Sequence, residues 1–193
     1  MNKYIVEALG TGALTLVVGL SLIGTFPVST PILAALTLGL FVYTIGHISG
    51  THINPAVTLG AWSIGKIETK VAMFYIVAQM LGAGIAMLFM SKFATLPELV
   101  VSGEGVIGLA EFLGAFFFTF GIASVVYGKV SGVLSGVVVG GSLLLGIAIA
   151  VLLGSNGVLN PAVAFGIGSW GLMYVFGPIL GAICGMQAYK RLM

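Results

Sequence analysis

The chain has 193 residues, of which 59% are hydrophobic and 6% charged, and its mean hydropathy is +1.21. Those values lie far outside the range of soluble domains and define an integral membrane protein. A net charge of +2 without any basic run excludes a nucleic-acid partner, and 30 glycines without a triplet period exclude collagen while fitting close helix packing in lipid.

Apolar stretches of about 20 residues, the length that crosses a bilayer, fall near 3–25, 31–49, 69–91, 106–127, 131–153 and 170–189. They predict six spans. The first carries Lys3 and Glu7 and lacks a small-residue cleavage site, so it reads as a transmembrane helix rather than a signal peptide. After the second span comes Asn54-Pro55-Ala56, and after the fifth the same tripeptide, Asn160-Pro161-Ala162. Asn is a favoured N-cap, Pro suits the first helical position and Ala continues a helix well, so each triplet predicts a helix start. The apolar segments that follow, 54–63 and 160–168, are too short to cross a bilayer and are expected to dip in and return. A helix start at membrane depth exposes N–H donors and a positive dipole end, and these must face protein or a water-filled cavity. Two such starts suggest a pore.

The most polar break, 92–105, contains Lys92, Pro97, Glu98, Ser102 and Glu104 and reads as a surface linker between two halves, approximately 1–91 and 106–193 of a single channel domain. Glu7-Ala-Leu-Gly10 resembles Glu111-Phe-Leu-Gly114, and each glutamate precedes its Asn-Pro-Ala by a similar interval. Three spans per half force the second copy of this repeat to insert upside down. The half-helices then enter from opposite faces. Lys3, Lys66, Lys70, Lys129, Lys190 and Arg191 fall on one side and only Lys92 on the other, which puts both termini in the cytoplasm. Trp170, Tyr174 and Tyr189, near the ends of the last span, suit an interfacial belt or internal packing equally. Cys184, the single cysteine, reads as a small packing residue.

The run Ser49-Gly-Thr-His-Ile-Asn54-Pro-Ala-Val-Thr58 and the later Asn160-Pro-Ala162 resemble the signature of the aquaporin family, with Gly46-His47, Ala78-Gln79, Gly177-Pro178 and the paired glutamates as further matches over the whole chain. The resemblance implies an all-α membrane protein of six transmembrane helices and two re-entrant half-helices in inverted repeats, forming a homotetramer with one pore per subunit in the plasma membrane. It also implies a ladder of pore-facing carbonyls on Gly50, Thr51 and His52, then Asn156, Gly157 and Val158, and glutamates that brace the half-helix loops. For Glu7, Glu111 and Gln79 that structural role is preferred to proton transfer. The His52 ring has two readings, a cytoplasmic-side gate or pH sensor and a packed loop histidine; the second is preferred, more strongly still for His47.

Independently of family, two half-helices meeting by their N-termini concentrate positive potential that opposes cations and protons, and Asn54 and Asn160 add amide donors. The departure from the family lies at Val163, where arginine usually follows Asn-Pro-Ala; the chain's only arginine is Arg191. By the family pattern the other filter positions are Ala34, Ala148 and Gly157, all small. Water-selective members resemble an aromatic, a histidine and an arginine there, and glycerol-conducting members keep the arginine with an aspartate after it, where this chain has Ala164.

The expectation is therefore a passive channel, without cofactor or metal, for water and small uncharged solutes such as glycerol, urea, ammonia, hydrogen peroxide or neutral metalloid acids. The alternatives are a strictly water-selective channel, a cation- or proton-leaky pore, which the absent arginine makes conceivable, and a closed scaffold, which the short loops argue against. No nucleophile–base constellation or metal-ligand cluster suggests an enzyme.

Overall fold

The computed structural model describes every residue except Thr25, Ala94 and Glu98; Glu98, one of the polar residues that mark the linker, thus lies outside the described residues. Among those described, the helices are α1 (Asn2–Ile23), α2 (Thr30–Ser49), α3 (Pro55–Ser63), α4 (Thr69–Met90), α5 (Gly105–Val126), α6 (Ser135–Leu152), α7 (Pro161–Gly166) and α8 (Leu172–Leu192). A 3-10 turn over Gly132–Leu134 leads into α6. Six of these helices are long and apolar enough to cross a membrane, since 18 to 22 residues at about 1.5 Å each match a hydrocarbon core of roughly 30 Å. The protein is an all-α membrane protein with two additional half-helices, α3 and α7.

The half-helices begin where the triplets place them. The Asn54 side chain accepts from the Ala56 N–H at 2.8 Å and that of Asn160 from the Ala162 N–H at 3.1 Å, while Pro55 and Pro161 take the first helical position and lose no bond. Their ends are glycine turns: Gly65 and Gly168 have φ of +77° and +80°. α7 stops at Gly166, two residues short of the stretch expected from sequence, because the chain must already turn at Gly168.

Each half-helix packs against the last long helix of the opposite half, α3 on α8 and α7 on α4, and the two touch at their starts. The long helices pair as α1 with α4, α5 with α8, and α2 with α6. These crossings depend on missing side chains. A Cβ on Gly82 would run into the Ala8 carbonyl, and one on Gly181 into that of Phe112; in lipid, where no hydrophobic force drives helices together, such close backbone approach supplies the packing. Large apolar side chains such as Leu9, Leu40, Leu81, Ile85 and Leu109 are exposed around the perimeter, as suits a surface that does not face water.

Of the aromatic residues on the last span, Tyr174 is buried and its hydroxyl accepts from the Asn156 N–H at 3.3 Å, so it is a packing residue. Tyr189 stacks on Tyr127 at 6.0 Å, whereas Trp170 is exposed with its edge on Phe165. The 92–105 segment is more than a surface linker: the Val100 carbonyl accepts from Asn156 Nδ2 at 3.2 Å, and Leu99 lines a cavity.

Candidate functional site

The re-entrant loops before α3 and α7 are held by two buried carboxylates in matching ways. Glu7 accepts from Ser49 Oγ at 2.6 Å, from the His52 N–H at 2.9 Å and from the Ile53 N–H at 2.6 Å. Glu111 accepts from Ser155 Oγ at 2.5 Å, the Val158 N–H at 3.0 Å and the Leu159 N–H at 2.8 Å. Each serine oxygen also takes one further loop N–H, Thr51 in the first loop and Gly157 in the second, both at 3.1 Å. Glu7 has an additional donor, Gln79 Nε2 at 2.8 Å, which bonds Thr58 Oγ1 as well. That contact fixes the amide orientation, because the reverse flip would set an oxygen against the carboxylate.

Turning consecutive loop N–H groups toward each carboxylate and its serine strains the backbone. Thr51, Ile53 and Leu159 adopt left-handed φ of 52°, 38° and 53°, whereas at Gly50 and Gly157, with φ of 86° and 65°, the residue type is suited to it. A non-glycine residue in this region costs on the order of 1 kcal/mol. The carboxylate bonds offset that strain, since hydrogen bonds to a charged group contribute about 1.5–3 kcal/mol each.

The two helix starts are tied to each other. Asn54 Nδ2 donates to the Leu159 carbonyl at 2.9 Å and Asn160 Nδ2 to the Ile53 carbonyl at 3.0 Å. Each amide spends its oxygen on its own helix and one N–H on the opposite loop; its second N–H meets no protein acceptor among the described residues.

A cavity of about 250 Å³ runs from the side opposite the termini inward to both asparagines and His52. A second, of about 360 Å³, opens on the side of the termini between Lys3, Gly50, Lys66 and Glu68 and also ends at His52. His52 is therefore the junction of the two. Its Nδ1 lies 3.2 Å from Thr58 Oγ1, and Tyr75 packs edge-on against the ring at 5.2 Å. His47 is exposed and lines neither cavity.

Of the expected filter residues, Ala34, Gly157 and Val163 line the first cavity. Ala148 does not: it is exposed on the outer face of α6, and the cavity instead takes Leu143, Ile147 and Val151. Those three recur every fourth residue along one helical stripe, and a one-residue step rotates a side chain by about 100°. The cavity-lining residue next to the expected alanine is thus Ile147, a larger side chain. Of the expected carbonyl ladder, Gly50 lines the second cavity, His52 both, and Asn156, Gly157 and Val158 the first. Thr51 lines neither; it is buried behind the loop with Oγ1 donating to the Phe41 carbonyl at 3.1 Å.

The sequence model of the major intrinsic protein family matches residues 2–189. The chain belongs to that family. It is 33% identical to Aquaporin NIP1-1 of Zea mays, over 98% of this chain and 71% of the relative. It is 32% identical to Nodulin-26 of Glycine max, over 98% of this chain and 77% of that protein, and 31% identical to Aquaporin AqpM of Methanothermobacter thermautotrophicus, over 78% and 71%. The X-ray structure of the aquaglyceroporin from Plasmodium falciparum superposes with a TM-score of 0.67 at 22% identity, covering 98% of this chain and 93% of that one, a likeness of fold. As a major intrinsic protein it is a multi-pass membrane channel for water and small solutes, and the family is one of channels rather than enzymes.

In this major intrinsic protein, the residues that sequence reasoning missed are those with no distinctive chemistry. Ile147 and Val151 are ordinary apolar residues of a span, and Ser49, Ser155 and Thr58 are single hydroxyls. For the serines a signal existed, since each stands five residues before its Asn-Pro-Ala. Among the described residues no group of three or more His, Cys, Asp or Glu side chains is placed to hold a metal.

Proposed function

We propose that this chain is a passive channel for water and small uncharged solutes, glycerol and urea among them, whose outer filter is the apolar ring of Ala34, Ile147, Gly157 and Val163. Asn54 and Asn160, held by Pro55-Ala56 and Pro161-Ala162 at the two helix starts, form the central barrier to ions. Glu7, Glu111 and Gln79 are its scaffold. The halves 1–91 and 106–193 are inverted repeats joined by 92–105. The protein sits in the plasma membrane as a homotetramer with both termini in the cytoplasm, in keeping with its lysine distribution.

The observation that carries this reading is the cavity that reaches both asparagines while presenting valine at position 163. Small and apolar side chains at these positions supply neither the bulk nor the fixed charge that would narrow the filter to water alone. Ion exclusion rests on the two half-helix dipoles and the asparagine donors.

Stopped-flow light scattering on proteoliposomes tests it. Shrinkage in an impermeant sugar faster than in empty vesicles supports a water channel, and fast re-swelling in glycerol supports the open filter. Shrinkage no faster than in empty vesicles overturns the channel reading; fast shrinkage without re-swelling overturns the solute range.

A further inference from the structure

The ring of Ala34, Ile147, Gly157 and Val163 presents backbone acceptors without side-chain donors. Asn156, Gly157 and Val158 line the cavity there, and among the described residues no protein group donates to their carbonyls. Their N–H groups all point away, into Tyr174, Ser155 and Glu111. The Asn156 amide is spent as well, with Nδ2 donating to the Val100 carbonyl and to Ser169 Oγ at 2.9 Å. Ala34, Ile147 and Val163 line the same stretch and carry no side-chain polar atom. Thr30, one helical turn further out on the lining, accepts from Ser21 Oγ and, among the described residues, keeps its own O–H free to donate, but it stands outside the ring. A solute moving inward next meets donors at Asn160 and Asn54.

From this asymmetry we propose that the outer pore selects solutes by the number of hydrogen-bond donors they carry, a specificity that rests on the channel reading above. A solute that fills the ring displaces water from the three carbonyls. If it donates, those acceptors are satisfied again; if it does not, they stay unpaired in an apolar surround, which is costly. Solute acceptors find no partner in the ring, so acceptor number sets a common cost and donor number makes the difference.

Urea, acetamide and dimethyl sulfoxide separate the two quantities. Each has four heavy atoms and one oxygen acceptor, and they carry four, two and no N–H donors. Proteoliposomes shrunk in sugar are challenged with each, and empty-vesicle rates are subtracted. The expected order is urea, then acetamide, then dimethyl sulfoxide, with at least about a tenfold span between the ends, the size that one unmade hydrogen bond produces. In V163N, which adds amide donors to the ring at similar volume, the span narrows. A flat or reversed series with fast water shrinkage overturns donor selection and leaves the channel reading standing. Water shrinkage no faster than in empty vesicles removes both.

Discussion

Asn54 Nδ2 donates to the carbonyl of Leu159 at 2.9 Å, which locks the first half-helix start to the loop that precedes the second. Asn160 and Ile53 make the reciprocal bond at 3.0 Å. Each asparagine is therefore a cap and a clamp at once. N54A and N160A are each expected to lower stability by about 1–2 kcal/mol from the cap alone, with the cross-bond adding to it. Because the two clamps hold the same pair of loops, the double variant is expected to lose less than the sum of the singles. Thermal unfolding in detergent, followed by helical circular dichroism, checks this; additive losses would show that the clamps act independently.

Glu7 and Glu111 bear the strained loops, and an amide in place of either carboxylate turns an NH2 group toward N–H donors. E7Q and E111Q are each expected to destabilise by roughly 1.5–3 kcal/mol per lost bond. E7Q is expected to be the worse, because Glu7 also accepts from Gln79 while Gln79 Oε1 has no partner of its own among the described residues. Unfolding midpoints of the two variants rank them.

The side chain of Ile147 lines the cavity and that of Ala148 lies on the outer face of α6. I147W is expected to block water permeation severalfold or more, and A148W to leave it unchanged in the same vesicles. The opposite pattern would restore the register expected from sequence.

Gly82 and Gly141 test the helix packing. A methyl group on Gly82 meets the Ala8 carbonyl, whereas one on Gly141 meets nothing within 4 Å. G82A is expected to cost about 1–3 kcal/mol through overpacking, while G141A is neutral or gains up to about 1 kcal/mol from helix propensity. Unfolding in detergent distinguishes them.

Much of the architecture was legible because its signals are chemically singular. An Asn-Pro-Ala triplet at membrane depth has few interpretations, and buried glutamates at Glu7 and Glu111 need partners, which the loops supply. The phase of α6 was not legible. A helix apolar on every side has no polar face to mark which stripe is wet, since lipid and an apolar cavity select the same residues. Hence Ala148 and Ile147 exchange places between sequence and structure. The end of α7 was missed for a similar reason: Ile167 continues the apolar run although Gly168 already turns the chain. The position of His52 between two cavities could not be seen in a motif, because it depends on where the second cavity closes.

The most direct measurement compares glycerol re-swelling of proteoliposomes containing the wild-type chain and the triple variant A34F/I147H/V163R, with shrinkage in an impermeant sugar as the internal control. If the small and apolar side chains leave the filter open, wild-type vesicles shrink and re-swell fast, while the variant, which carries an aromatic, a histidine and an arginine in the ring, still shrinks but re-swells at least about tenfold more slowly. Equal re-swelling in both, or none in the wild type, would contradict an open filter at these positions.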